Sequence, residues 1–488
     1  MPCVQPFPSR SSRRLWRSAW SEAGARTAVY PLPAALGPAV RRTAAAARAR
    51  LPSSSSSQLL REDSHPWLPP RPSSPALPTL GGKCFQLLDP QEPEVAHARA
   101  VNLGRWAARD PQRAPQAREK FRELVNRYPH EVWPRQAWAS FELDTGGDLV
   151  RAEAELTRLE GRPDAPVRVL RAQLLRRRGQ LHLALDQLDS APPRNPYVRH
   201  FRAVVLADLG RFEEAEEALR ALLQQLPDHV PTLHTLAALA YDRGHLVQAE
   251  RYLEQGVRRA PQHPFLLHTL ALVREEQGRY AEAIDILTRV QEQVDPDNPH
   301  VLVALGVLEA KRGDLAAALR WFDRAEQRFP TNPLVPLARA QALLPYAERD
   351  GRTATSVHAA LDRARRLASE DWQPLRVAQA RSLVVLHGPG EFPRAREHLK
   401  AAMERAASHK DRVVTLNTWA ELAETCGAPT EARQRFEEAL DLDPENAFTL
   451  RGFARHLARF PLTPEDAARS QELFARAARW LGTLEAQP

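Results

Sequence analysis

The chain has 488 residues, 42 of them Pro, and a formal net charge of +8 at pH 7. No stretch approaches the roughly 18 consecutive apolar residues of a membrane-spanning helix, so no span is predicted. The three cysteines, Cys3, Cys84 and Cys426, form no CxxC motif and no Cys/His cluster. Their separation argues against both a zinc site and a disulfide scaffold.

The first 61 residues carry the excess positive charge. They hold ten Arg, no Lys and one acidic residue, Glu22, so residues 1–61 have a net charge of +9 and the rest of the chain −1. An Arg-, Ser- and Ala-rich segment that is poor in acids and lacks a continuous apolar core is typical of an organellar transit peptide. A basic tail with no targeting role is the alternative.

Residues 62–93 form a second segment, rich in Pro and Ser, that includes "PWLPPRPSSPALP". Such a composition cannot bury enough apolar surface to fold by itself, so a disordered linker is predicted here. The folded part of the protein is therefore expected over residues 94–484.

One spacing recurs through this folded part. A Gly is followed five residues later by Ala, four residues after that by Leu or Phe, and then by Pro. The four clearest glycines are separated by 34, 34 and 35 residues. They are Gly210, Gly244, Gly278 and Gly313, followed by Ala215, Ala249, Ala283 and Ala318. The same order is found at Gly427. Gly390 has the Ala and the Leu at the same offsets, and weaker forms occur at Gly147 and Gly179.

The spacing has a physical explanation in a helical hairpin. Gly ends the first helix in the left-handed conformation, and Pro ends the second. The small Ala allows the two helices to approach closely, and the apolar residue four places on fills the same face. Since such a hairpin cannot bury its apolar stripe alone, neighbouring hairpins must stack. We therefore predict that the alanines are buried and that each unit touches only its neighbours.

The pattern resembles the tetratricopeptide repeat, which has a 34-residue period, Ala at the helix contact and a closing Pro. This resemblance implies an all-α, right-handed superhelical solenoid of about eleven antiparallel helix pairs. An unrelated helical bundle is the alternative. The flanking units also resemble the half-a-tetratricopeptide (HAT) repeat. The residues that carry this second resemblance are Trp133, Trp138, Glu142, Glu309, Trp419 and Glu421.

The HAT resemblance implies a role in RNA processing, because HAT proteins work there and some chloroplast members protect the 5′ ends of messenger RNAs. It favours the chloroplast over the mitochondrion. Middle units such as residues 234–261 lack the aromatic residue of the HAT pattern. The alternative interpretation of the Trp residues is that they only pack between helices.

Motifs of catalytic sites are not found in the sequence. It contains no phosphate-binding Gly-rich loop, no GxSxG and no HExxH. The segment "LHGPGEFPRAR" has two glycines but does not meet GxGxxG. The sequence therefore predicts a protein that is not an enzyme and has no catalytic residues, cofactor or metal.

The resemblance to tetratricopeptide repeats places the first helix of each unit on the concave face. His occurs ten residues before the turn Gly in three successive units, with aromatic residues near it. The candidate groove contacts are Tyr197, His200, His234, Tyr241, Phe265, His268 and His300. Such residues can stack on RNA bases or hold a peptide, or they can pack between helices.

Two further patterns bear on the ligand. Family members that bind acidic chaperone tails use Lys and Asn in the groove, whereas this chain has Val204, Ala238 and Leu272, so carboxylate-clamp binding is not expected. Clusters of Arg offer candidate phosphate contacts, although such runs are usually solvated helix faces. These candidates are Arg171, Arg176, Arg177, Arg178, Arg394 and Arg396.

The leading hypothesis from the sequence is an organellar scaffold that binds single-stranded RNA in its concave groove, for stabilisation or processing of messenger RNA. The alternative is a protein–protein scaffold that assembles an organellar complex.

Overall fold

The computed structural model describes residues 93–482, except residues 110–112, 145–147, 161–163, 193, 297, 349 and 369–371. The predicted transit peptide and all but the last residue of the predicted linker lie outside the described residues. Both assignments stay predictions.

Twenty-two α-helices and no strand are present in the described part of the chain. The first eleven are α1 Pro93–Arg109, α2 Ala114–Arg127, α3 Trp133–Asp144, α4 Leu149–Thr157, α5 Ala165–Arg177, α6 Leu181–Asp189, α7 Pro196–Asp208, α8 Phe212–Gln225, α9 Val230–Asp242, α10 Leu246–Arg259 and α11 Pro264–Glu276. The others are α12 Tyr280–Arg289, α13 Pro299–Arg312, α14 Leu315–Arg328, α15 Leu334–Ala347, α16 Gly351–Leu367, α17 Gln373–His387, α18 Phe392–Glu404, α19 His409–Thr425, α20 Pro429–Leu442, α21 Ala447–Arg459 and α22 Asp466–Leu481.

Consecutive helices pack as antiparallel pairs, α1 with α2 through α21 with α22. Through most of the chain, the first helix of one pair also lies against the first helix of the next. The predicted all-α superhelical solenoid is therefore confirmed.

Glycine ends most of the first helices, as the spacing predicts. Gly210, Gly244, Gly278 and Gly313 have φ between 75° and 98°, the left-handed region in which a side chain is strained. One turn differs from the prediction. In the turn before α18 the residue with positive φ is Gly388, not Gly390, because a 3-10 turn over Pro389–Glu391 follows it. Gly147 lies outside the described residues.

The alanines of the repeated spacing lie in the core. Ala215, Ala249, Ala283 and Ala318 are fully buried, and so are the Leu or Phe residues four places on. The prediction that these alanines are buried is therefore confirmed.

Side-chain caps fix the starts of several of the first helices. The side chain of Asn195 accepts hydrogen bonds from the backbone N–H groups of Tyr197 and Val198, at 2.9 and 3.4 Å. Asn298 caps α13 in the same way. In both helices a Pro occupies the first position, where a missing N–H costs nothing.

Two turns of the superhelix touch each other. Residues 242–247, at the junction of α9 and α10, lie against residues 443–448, which lead into α21. The partners in this contact are about 200 residues apart in the chain. We call this contact, together with Trp480 of α22, the inter-turn seam. The prediction that each unit touches only its neighbours is therefore wrong.

The seam combines polar and aromatic contacts. Arg243 pairs with Asp443 at 3.1 Å, and both side chains are buried. The ring of His245 stacks on Trp480 with 3.8 Å between centroids and 15° between planes. The backbone N–H of Ala447 donates to the carbonyl of Arg243 at 2.8 Å.

A second contact of the same kind lies one unit earlier. Lys410, at the start of α19, pairs with Asp242 at 2.9 Å. His409 lies with its Nδ1 3.3 Å from the carbonyl oxygen of Asp208 and packs against Gly210. An apolar cluster that contains residues of α9–α13 and of α19–α22 lies beneath these contacts. The contact between the two turns is therefore part of the hydrophobic core.

Candidate binding face

The first helices α7, α9, α11 and α13 present the predicted groove residues. Tyr197, His234, Phe265 and His300 are partly exposed. The other three predicted contacts, His200, Tyr241 and His268, are at most 9% exposed. The structure therefore brings the seven residues onto adjacent helices but offers only some of them to a ligand.

Two of the histidines bridge successive units. The Nε2 atom of His200 lies 2.8 Å from the hydroxyl oxygen of Thr235, and that of His234 lies 3.1 Å from Thr269. Each Thr hydroxyl donates its own proton to a backbone carbonyl four residues earlier. The Thr oxygen must therefore accept, so each His donates from Nε2. In the next unit the equivalent of these threonines is Ala304, which has no hydroxyl, and the series ends.

Burial keeps these imidazoles neutral. Loss of hydration, reinforced by neighbouring histidines, lowers the pKa of His200 to about 4 and that of His234 to about 3. The same causes lower the pKa of His268 well below its usual value. The three-histidine series therefore supplies no positive charge to a ligand at neutral pH.

Two further histidines lie on the same face and are not among the candidate groove contacts predicted from the sequence. His229 and His263 immediately precede α9 and α11, 34 residues apart. Nδ1 of His263 accepts from the N–H of Leu266 at 3.4 Å, so this His caps its helix. The ring of His229 meets His200 edge-on, with 6.0 Å between centroids. The 34-residue spacing was the signal that could have identified them.

Apolar residues line the positions next to these histidines. Val204, Ala238 and Leu272 are each partly exposed, and Val307 continues the row on α13. Together with Phe265, they give the exposed part of this face a neutral, largely apolar character.

The candidate phosphate contacts bind groups of the protein itself. Arg171 and Arg177 donate to backbone carbonyls at 3.2 and 3.0 Å. The other four candidates pair with carboxylates. These pairs are Arg176–Asp208, Arg178–Glu153, Arg394–Glu391 and Arg396–Glu431. Four of the six candidates lie on α5 or directly after it and two on α18, so the structure does not bring the six together. Their contact with phosphate stays a prediction.

The aromatic and acidic residues of the HAT-like units form packing networks. Glu142 is fully buried; it accepts two hydrogen bonds from Arg118 at 2.9 Å and one from Trp138 Nε1 at 3.1 Å. Trp419 donates to Glu431 at 2.8 Å. The remaining members are also engaged: Trp133 with His97 and Tyr128, Glu309 with Arg312, and Glu421 with Arg381. Apart from Glu309–Arg312, whose residues both lie on α13, these networks connect helices, and they favour the packing interpretation of the Trp residues.

Within the described ranges, no group of three or more His, Cys, Asp or Glu side chains is arranged to hold a metal ion. No helix in the part of the chain that the structure covers is both long and apolar enough to cross a membrane.

Sequence comparison identifies the repeat. One model of the tetratricopeptide repeat matches residues 169–230 and 268–333, and a second model of the same repeat matches residues 206–271. No curated protein matches the chain. The matched residues contain the four clearest Gly–Ala units and the three-histidine series.

Several solved structures are similar to parts of the chain at low identity. A thermophilic tetratricopeptide-repeat protein from Thermus thermophilus is 20% identical, and the match covers 40% of this chain and 100% of that one with a TM-score of 0.34. The human IFIT1 dimer with m7Gppp-AAAA is 17% identical over 73% of this chain and 88% of that one, with a TM-score of 0.42. A tetratricopeptide-repeat protein from Parabacteroides merdae is 18% identical over 56% and 98%, with a TM-score of 0.39. At these identities the likeness concerns the helical-repeat fold alone.

Proposed function

We propose that this protein is a non-enzymatic scaffold for a protein partner, because residues 169–333 match models of the tetratricopeptide repeat, whose proteins are generally non-catalytic scaffolds. The partner segment lies against the first helices α7, α9, α11 and α13. The organellar address predicted for residues 1–61 would place this scaffold in an organelle.

We call the face formed by α7, α9, α11 and α13 the inner face. The observation that carries the proposal is the neutral, apolar character of its exposed part. Val204, Ala238 and Leu272 offer apolar contact, and the neighbouring histidines are held neutral by burial. Such a surface suits an extended or helical protein segment with apolar side chains, whose burial provides the free energy of binding.

The neutral character of this face and the pairing of the candidate Arg side chains weigh against RNA as the ligand. RNA affinity depends on cations that can replace counterions along the phosphate backbone. Here four of the six candidate Arg side chains pair with carboxylates of the protein. Releasing them to bind phosphate would leave those carboxylates without their partners. RNA binding for transcript stabilisation is therefore the competing hypothesis.

The test uses the full chain and two probes. Peptides selected from a displayed random library and a 20-nucleotide single-stranded RNA are each titrated at two salt concentrations. The variant Leu272→Asp places a charge on the inner face, whereas Leu183→Asp makes the same change at a 52% exposed position of the second helix α6. We expect Leu272→Asp to weaken peptide binding about tenfold or more, the effect of about 1.4 kcal/mol, and Leu183→Asp to have no effect.

Two outcomes would contradict the proposal. If no selected peptide binds but RNA does, with an affinity that falls steeply with salt, RNA is the ligand. If both Asp variants weaken the peptide equally, the peptide does not bind the inner face.

A further inference from the structure

The inter-turn seam combines apolar contacts with a buried ion pair. Neighbouring helices meet through fully buried apolar residues such as Ala249 and Leu253. The seam also buries apolar side chains such as Phe448, and with them the charged pair Arg243–Asp443, whose side chains are 8% and 2% exposed. A buried ion pair adds little net stability, because each charge must lose its hydration. When the seam opens, both charges regain water, which offsets part of the cost of exposing its apolar side chains.

The seam also depends on a close approach at one glycine. A Cβ atom at Gly244 would lie 2.9 Å from Cδ2 of Phe448 and 3.1 Å from Cβ of Ala447. The equivalent glycine of the next unit, Gly278, has nearly the same φ, 75° against 79°, but nothing within 4 Å of such a Cβ. The two glycines therefore share a backbone conformation and differ in the seam contact.

We infer that the inter-turn seam is a latch: it opens while the helix pairs on both sides stay folded. While it is closed, the two turns touch along their edges, so a ligand reaches the inner face of the intervening units from the ends of the superhelix. While it is open, the inner face is accessible from the side. The inference concerns the protein without ligand and goes beyond the proposed function.

One amide reports directly on the seam. The N–H of Ala447 donates to the carbonyl of Arg243 at 2.8 Å, across the seam. Ala447 is the first residue of α21, a position whose N–H has no acceptor within its own helix. Its protection from hydrogen exchange therefore depends on closure of the latch and not on the helix that contains it.

The experiment measures residue-resolved native-state hydrogen exchange on the full chain. We compare the amide of Ala447 with that of Leu305, a fully buried residue inside α13. In the wild type we expect Ala447 to be protected, yet to exchange about tenfold or more faster than Leu305 after correction for intrinsic rates.

The matched variants are Gly244→Ala and Gly278→Ala. Both introduce a side chain at a left-handed position, so their effect on the local turn is shared. We expect Gly244→Ala to accelerate exchange at Ala447 about tenfold relative to Gly278→Ala, since only Gly244 has the added Cβ against Phe448. If Gly244→Ala fails to fold, Trp480→Ala removes the ring stacked on His245 and replaces it in the comparison.

The inference is overturned if Ala447 and Leu305 exchange at the same rate, because the seam then opens only on global unfolding. It is also overturned if Ala447 shows no protection in the wild type, or if the seam variant accelerates its exchange no more than Gly278→Ala does.

Discussion

The bonds between successive histidines and threonines explain why neutral imidazoles lie between the first helices. His200 and His234 each donate to a Thr one unit further along, and each has too little water around it to carry a proton. A protonated ring would bring a charge into this apolar setting and would be repelled by the neighbouring histidines. These residues therefore make the stacking of units sensitive to acid.

The first prediction concerns this sensitivity. The pKa of His200 is 6.5 when the chain is unfolded and about 4 when it is folded. As the pH falls, the unfolded chain takes up the proton first. The stability contributed by the neutral ring is therefore complete above pH 6.5 and is lost between pH 6.5 and about 4. At pH 5 the loss from this one residue is about 2 kcal/mol.

The variant His200→Gln tests that assignment, because Gln keeps an N–H donor for Thr235 and does not titrate. Urea unfolding at pH 7.5 and pH 5 should show a smaller acid-induced loss of stability in the variant than in the wild type. Equal losses in the two proteins would mean that His200 is not the titrating group.

Individual residues were predicted from the sequence to different degrees. Burial of Ala249 follows from its place in a repeated pattern, because the pattern itself reflects packing. The pairing of Arg176 with Asp208 could not be predicted, since the two side chains are 32 residues apart and no local spacing connects them. Because such distant partners cannot be identified from the sequence, a cluster of Arg was interpreted as a candidate phosphate site.

At the scale of the helix, the ends of the hairpins were the features that the sequence predicted best. A Gly after a run of helical residues and a Pro one unit later mark the two ends of a hairpin, because each residue type restricts the backbone by itself. Features that depend on what surrounds a helix in the fold could not be predicted from the sequence. Helix α12, for example, continues into a π-helical turn over Val290–Val294, and nothing in the sequence pattern indicates it.

The second prediction concerns a helix start. Asn195 satisfies two backbone N–H groups of α7, so Asn195→Ala should lower the free energy of unfolding by about 1 kcal/mol. Asn195→Asp, which keeps the accepting oxygen, should retain most of the stability. Urea unfolding followed by circular dichroism provides the measurement, and Arg194→Ala, at the exposed preceding residue, is the control. Equal effects of the two Ala variants would contradict the capping role.

At the scale of the whole molecule, the seam changes how the units depend on one another. In an open solenoid each unit touches only its neighbours, so a local defect stays local. Here α10 also packs against α22, which lies more than 200 residues further along. No sequence periodicity could reveal this contact, because it joins residues that occupy different positions in the repeat.

The last prediction compares one substitution in two successive units. Ala249 and Ala283 are both fully buried at equivalent contacts, so Ala249→Leu and Ala283→Leu should each overpack the hairpin and cost about 1–3 kcal/mol. Only Ala249 lies on α10, which packs against α22. Hydrogen exchange of α22 amides should therefore accelerate in Ala249→Leu and stay close to wild type in Ala283→Leu. If α22 responds equally to both, the defect spreads through the stack of neighbouring units and not across the seam, and the superhelix behaves as an open solenoid.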